Sequence, residues 1–370
     1  MLSHAHASAG PEGIGASGQN PSTIVSSEQI EEAARALDRG ALVAFPTETV
    51  YGLGADASSP EAVASIYAAK GRPSNHPVIV HVADQEQASR WVEHLPEQAK
   101  ALMQAFWPGP LTLILKRAPW VDTCVSGGQD TIGIRCPSHP VAHALLRAFA
   151  RLRGQRPAGV AAPSANRFGH VSPTTADHVR EEFSELVNQG MPVLEGGASE
   201  IGIESTIVDL SRLDQGHPPA LLRPGGVLAA DIERVLGVPL SGHDQHAPRV
   251  SGALKAHYAP RTKLRLLSAD RLPDEVLLWV RDNPGRRLAV VATNALFSGS
   301  VHQMVAKQRR AQISTFPMPD DAVSYARYLY ASLRDADRSG CDEIFWVDVP
   351  NTPAWSGVRD RLQRAAAAFD

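Results

Sequence analysis

"SPEAVASIYAAKGRPSNHPVIVHV", Ser59 to Val82, holds a complete passage from helix to strand and decides the class of the fold. Ser59, Pro60 and Glu61 supply an N-cap, a proline at the first helical position and an acid in the first turn. "AVASIYAAK" carries the helix on until Gly71 ends it. Pro73 and Pro77 stiffen the turn, and the apolar run Val78 to Val80 reads as a buried strand. Lys70 and Arg72 therefore fall at a helix end, between two regular elements. They are open to two readings. Either both complement the negative end of the helix dipole and meet solvent, or Gly71 lets the chain turn both into one pocket, where phosphate would meet a forked guanidinium and a mobile ammonium.

Upstream, Ser27 followed by "EQIEEAARALDRG" reads as a capped helix ending at Gly40, with Ile30, Ala33, Ala34 and Leu37 on one face, and it leads into the strand "ALVAF". Downstream come helices around 84–92 and 96–106, strands at "PLTLILK" and "TIGIRC", the helix "PVAHALLRAFARL", and strands at "AGVAAPS", "TIVDL" and "PALLRP". Ala229 to Leu236 is a closing helix. This order lacks strict βα alternation, which argues for an α/β (α+β) domain built on a twisted open sheet rather than a barrel. Gly237 to Pro260 is rich in Gly, Pro and His without periodicity, as a linker is. A second rhythm follows, with strands "KLRLLS", "RRLAVVAT", "ISTFPM" and "EIFWVDV" alternating with helices over 273–283, 300–312, 321–337 and 355–369. Alternation of this kind predicts a smaller, Rossmann-like parallel-sheet domain. No G-x-G-x-x-G follows its first strand, so a dinucleotide is not expected there. The expected division is a disordered lead-in at 1–23, a first domain at 24–236, a linker at 237–262 and the second domain at 263–370.

With 370 residues, 43% hydrophobic and 20% charged, the chain can build a core in each domain. Its apolar runs are strand-length, far short of the roughly 20 residues a membrane helix needs, so no membrane role is expected. The first 23 residues carry no Lys or Arg and no apolar core, and so fail as a signal peptide. Cys124, Cys136 and Cys341 lack paired spacing; a reducing cytoplasm fits, and neither a disulfide framework nor a zinc site is suggested. Lys plus Arg against Asp plus Glu is 21 against 26 up to residue 262 and 15 against 13 beyond it. Neither part is basic enough to require a nucleic acid.

Four segments are polar where a scaffold would be apolar: "PTETVYGLG" (46–54), residues 70–81, "PSANRFGHVSPT" (163–174) and "GIESTIVD" (202–209). Turn chemistry accounts for their Gly and Pro but not for Lys70, Arg72, Glu204 or Asn166. The chain has no P-loop and no G-x-S-x-G elbow, and no cysteine in a suggestive context. His243 and His246, in "HDQH", read as solvated linker residues rather than metal ligands. Hydroxyls and amides at Thr47, Thr49, Ser164, Asn166, Ser172, Ser205 and Thr206 outnumber titratable candidates. That profile suits positioning and charge stabilisation more than covalent catalysis.

"PTETVYGLG", "KGR" followed by "HPVIVH", "IGIR", "APSANRFG" and "GIESTIVD" resemble, in the same order, the YrdC-like family, and specifically its longer two-domain threonylcarbamoyl-AMP synthases. The resemblance spans about 27–236 and continues through "HYAP" into the second domain. It implies a twisted open sheet with a concave basic face, and a nucleotidyltransferase that converts L-threonine, bicarbonate and ATP, with Mg2+, into threonylcarbamoyl-AMP and pyrophosphate. The adenylate would pass to a separate complex that modifies tRNA. The family pattern implies that Thr49, His81, Arg135, Ala162 and Ser205 hold threonine. It likewise assigns ATP to Lys70, Arg72, His76, Ser164, Asn166, Ser172 and Arg223, with Tyr258 closing over the nucleotide. Three cations at the ends of predicted elements beside hydroxyl-rich loops further suggest that Lys70, Arg72 and Arg135 form a catalytic cationic wall, the alternative for Arg135 being a structural ion pair on a strand. Two departures stand out: His76 replaces a common Asn, and the linker reads "RVSGALKAHYAP" where relatives commonly begin Ser-Pro-Gly-Met. Two rival functions resemble parts of this pattern. One is a double-stranded RNA or tRNA-binding module, which the near-neutral charge disfavours. The other is a hydrogenase-maturation carbamoyl transferase, whose paired C-x-x-C motifs are missing here.

Overall fold

Ser59 accepts a hydrogen bond from the backbone N–H of Ala62, Pro60–Lys70 form the helix, and Gly71 closes it in the left-handed conformation at φ 62°. The chain then enters the strand Ile79–His81. Residues 25–298 and 313–370 are described by this computed structural model. The expected lead-in at 1–23 and the helix expected over 300–312 lie outside the described residues.

Strands run in chain order as β1 (Val43–Phe45), β2 (Gly52–Asp56), β3 (Ile79–His81), β4 (Leu111–Lys116), β5 (Thr131–Arg135), β6 (Val160–Ala161), β7 (Thr206–Asp209) and β8 (Ala220–Arg223). They form one sheet in the order β1-β2-β6-β3-β5-β4-β7-β8. Only β3 with β5 and β4 with β7 pair in parallel; the other neighbours are antiparallel. Here the sheet is the mixed, open one that irregular βα order implies. The sequence reading missed β2, inside "GLGAD", because both faces of that strand are covered and its glycines leave no apolar alternation to read. Short helices at Thr123–Ser126, Ala176–Glu182, Ser184–Asn188 and Asn294–Ser298 were likewise unforeseen. The first helix is capped by Ser26 rather than Ser27: its hydroxyl accepts from Gln29 N and the Gln29 side chain accepts from Ser26 N, a reciprocal capping box.

Strands β9 (Lys263–Leu267), β10 (Leu288–Thr293), β11 (Ile313–Met318) and β12 (Glu343–Val347) form the second sheet, in the order β11-β10-β12-β9. All three of its pairings are parallel, as the βα alternation predicts.

The seam between the two sheets is itself a core. Val50, Val171 and Ile203 of the first domain and Tyr258 of the linker share one buried cluster with Tyr325, Leu329, Tyr330 and Trp346 of the second. Apolar burial of this kind contributes about 25 cal/mol per Å2 and holds the second domain against the mouth of the first sheet.

Candidate active site

β3 and β5 pair in register so that His81 lies directly opposite Arg135. This fixes the floor of a pocket. The segment containing Thr49 folds over it through Thr47, whose hydroxyl donates to Val50 O (2.6 Å) and accepts from the backbone N–H groups of Thr49 and Val50. Arg135 Nη1 then donates to Thr49 Oγ1 at 2.8 Å, and Arg135 Nη2 to Glu48 Oε1 at 2.6 Å. Gly52 bridges to Ser164, Ala165 N donates to Tyr51 O, and Phe168 N to Lys70 O, so three of the four polar segments are knitted together by their backbones. The fourth arrives at the start of β7, just before which Ser205 Oγ lies 2.7 Å from Thr112 Oγ1 of neighbouring β4.

Lys70 is the last helical residue and Arg72 follows the left-handed Gly71, so both reach the same pocket. Lys70 Nζ donates to Ser164 O (2.6 Å) and to Asn166 O. Burial, reinforced by the charge of Arg72, holds its amine well below the usual lysine range. Arg72 Nη2 donates to Pro77 O at 2.7 Å, and burial brings its guanidinium down to about 10. Arg223, on β8, donates from Nε and Nη2 to Ser205 O and from Nη1 to Ser251 O of the linker. The linker thus forms the roof, with Ser251, His257 and Tyr258 all lining the pocket. Tyr258 is 1% exposed and takes a positive φ of 62°, among the described residues the only non-glycine to do so. The space remaining beneath this roof is about 40 Å3, room for roughly a few waters.

The lining gathers Lys70, Arg72, Ser164, Asn166, Arg223 and Tyr258 together with Thr49, His81, Arg135, Ala162 and Ser205. His76 and Ser172 are not part of it. His76 stacks edge-on against Phe168, which does line the pocket, at 5.4 Å between ring centroids. The Ser172 hydroxyl instead donates to Glu204 Oε1 at 2.7 Å. Within the expected cationic wall, Arg135 is held by Glu48 in a buried ion pair, so its charge is already balanced. No hydroxyl lining the pocket is hydrogen-bonded to a histidine among the described residues, so the site holds no assembled Ser–His nucleophile.

Four buried polar atoms without a partner belong to residues lining this pocket: Arg72 Nε, His81 Nδ1, Asn166 Oδ1 and His257 Nδ1. Burial pushes His81 and His257 down to about 3, so both rings are neutral at physiological pH. Unpaired polar atoms on a concave wall are costly unless a ligand pairs them.

The Sua5/YciO/YrdC family model, described as telomere recombination, matches residues 35–225. The model for the threonylcarbamoyl-AMP synthase C-terminal domain matches 227–367. The threonylcarbamoyl-AMP synthase of Pyrococcus abyssi is 36% identical across 92% of this chain and 96% of its own length. That of Bacillus subtilis is 39% identical across 91% and 93%. The chain belongs to the Sua5 family of threonylcarbamoyl-AMP synthases. The crystal structure of P. abyssi Sua5 complexed with L-threonine superposes with a TM-score of 0.79 at 34% identity, covering 94% of this chain and 96% of that one. A second P. abyssi Sua5 structure, with a His and a Tyr replaced by alanine, gives the same TM-score.

Against this Sua5-family frame, several lining residues had not been assigned a role from the sequence. Val50, Tyr51 and Gly52 follow Thr49 within one quoted motif, and His257 precedes Tyr258 in "HYAP", so adjacency was the available signal. Glu204 stood out only as a charge that turn chemistry did not explain. Its partners Tyr330 and Arg361 come from the second domain and carry no local signal at all.

Proposed function

We propose that this protein makes threonylcarbamoyl-AMP from L-threonine, bicarbonate or CO2 and ATP, releasing pyrophosphate. The observation that carries the reading is the convergence of partnerless Arg72 Nε, His81 Nδ1 and Asn166 Oδ1 with Lys70 and Arg223 around one pocket in which no described hydroxyl is paired with a histidine. Family membership, and the threonine complex of a relative that matches 94% of this chain, support the same substrates.

Threonine's amine, once neutral, adds to CO2 to give a carbamate. A carbamate oxygen then attacks the α-phosphorus of ATP, and the bond from that phosphorus to the bridging oxygen breaks to release pyrophosphate. Both reactants are anionic, so the barrier is like-charge repulsion and loss of freedom, which fixed cations and fixed geometry lower. Lys70 and Arg72 face the triphosphate and Arg223 the nucleotide, with Ser164 and Asn166 as neutral contacts. Thr49, His81, Ala162 and Ser205 position threonine. Arg135, already balanced by Glu48, acts as an oriented fork for the threonine carboxylate rather than as surplus charge. Ser172 acts through Glu204, and His76 through Phe168.

The described residues contain no cluster of three His, Cys, Asp or Glu side chains. The Glu204 carboxylate is already taken by Ser172, Tyr330 and Arg361. No full protein cage for a cation is thus present among the described residues, and Mg2+ would enter as part of the substrate MgATP, held chiefly by phosphates and waters. The linker, with so little space beneath it, is a lid that withdraws to admit substrates and then shields the labile adenylate from water. No described helix is long and apolar enough to cross a membrane, and a cytoplasmic enzyme supplying a separate tRNA-modifying complex is the setting we infer. Incubating the protein with ATP, bicarbonate and labelled threonine should yield the labelled adenylate by mass spectrometry. ATP turnover without that product would overturn the assignment.

A further inference from the structure

Glu204 is buried and is held from two domains at once. Ser172 of the first domain donates to its Oε1. Tyr330 Oη and Arg361 Nε of the second domain both donate to its Oε2, at 2.9 and 2.8 Å. Arg361 is fully buried, and its Nη1 donates onward to Pro224 O at 2.7 Å. Glu204 directly precedes Ser205, and Pro224 directly follows Arg223. One guanidinium therefore ties together the chain positions that flank the two residues joined by the Arg223–Ser205 hydrogen bonds. Arg361 and Tyr330 also bracket the roof: the Arg361 guanidinium lies 5.6 Å from the Tyr258 ring centroid and the Tyr330 ring 5.5 Å from it.

We propose that Arg361 and Tyr330 are positioning residues of the synthase, through which the second domain sets the orientation of Arg223 and thereby the affinity for ATP. The inference rests on the nucleotide role of Arg223 proposed above and gives the second domain a role beyond packing against Tyr258 of the linker. A fixed guanidinium binds phosphate without losing freedom in the act, whereas one released from Ser205 must be reordered at each binding event. Tyr330→Phe removes a single hydroxyl at constant volume; Arg361→Gln removes the fork and the charge.

The test is the dissociation constant for ATP, measured calorimetrically on full-length protein in the native and in the Arg223→Ala background, with thermal unfolding recorded for each variant. Expected is about fivefold weaker ATP binding for Tyr330→Phe and for Arg361→Gln in the native background. In the Arg223→Ala background the same changes should shift it by less than about twofold, because the path they act through is gone. Tyr330→Phe carries the test even where Arg361→Gln does not fold. Unchanged ATP affinity in a folded Tyr330→Phe protein overturns the inference and leaves the function standing. So does an equal loss in both backgrounds, which would mark a general structural effect. If the unaltered protein bound no ATP, the proposed function itself would fall, and this inference with it.

Discussion

Arg135 Nη2 lies 2.6 Å from Glu48 Oε1, with the two side chains 5% and 3% exposed. Removing one member of such a buried pair strands the other. Arg135→Ala should therefore destabilise the protein by about 3–5 kcal/mol in urea unfolding. The double variant Glu48→Gln with Arg135→Met should recover much of that stability and yet remain without threonine-dependent pyrophosphate release. A double variant that turned over normally would remove Arg135 from the reaction.

Arg72 has a buried, unpartnered Nε, and among the described residues its side chain makes one hydrogen bond, to Pro77 O. It is thus the pocket cation with the most donors left for a phosphate. Arg72→Ala should slow pyrophosphate release on the order of 10²-fold, with little loss of thermal stability because no ion pair is broken. An unchanged rate would sink the cationic wall.

Acid should unfold the protein in two overlapping stages. Burial depresses His81 and His257 to about 3 and His178 to about 4. An unfolded histidine titrates near 6.5, so their stabilisation is complete above that pH and falls as pH drops from about 6.5 towards 3. For Glu204 and Glu182, burial alone would raise the carboxyls. It is outweighed at Glu204 by Arg361 and Arg223, and at Glu182 by hydrogen bonds from His170 and Arg167 N, leaving both at about 2. Their contribution is present above about 4.5 and is lost below it, towards pH 2. Urea midpoints measured from pH 8 to pH 3 should be flat above 7 and decline below 6.5, and His257→Phe should make the upper part of the decline shallower. A midpoint constant down to pH 4 would contradict the buried neutral histidines.

Gly252 lies in the linker at φ 75°, and a Cβ there would strike the Tyr258 hydroxyl and come within 2.9 Å of Arg223 Nη1. Gly252→Ala should cost about 1–2 kcal/mol of local strain in the closed roof. The expected result is faster escape of the adenylate into solution with the unfolding midpoint of the first domain unchanged, followed by a chase with unlabelled threonine. Retention equal to the unaltered protein would show that the linker is not a lid.

How much of this was legible in the sequence varies by residue. The helix over 60–70 and the parallel order of the second sheet follow from caps, a terminal glycine and βα alternation, all local signals. β2 was not legible, because a two-sided buried strand containing glycines shows neither alternation nor β-branched enrichment. Lys70, Arg72 and Asn166 could be nominated because turn chemistry explains the glycines and prolines of their segments but not these side chains. His76 carried the same signal and packs instead against Phe168.

By itself the sequence determined the longer elements, the two-domain rhythm and the motifs that identify the family, since caps, periodicity and short motifs act over a few neighbouring residues. Tertiary structure alone decided which charges are available: Arg135 is balanced by Glu48 from 87 positions away, and Glu204 is clamped by Arg361 from 157 away. Those pairings depend on which surfaces the sheets bring together, and the strength of each depends on the burial that the same packing creates.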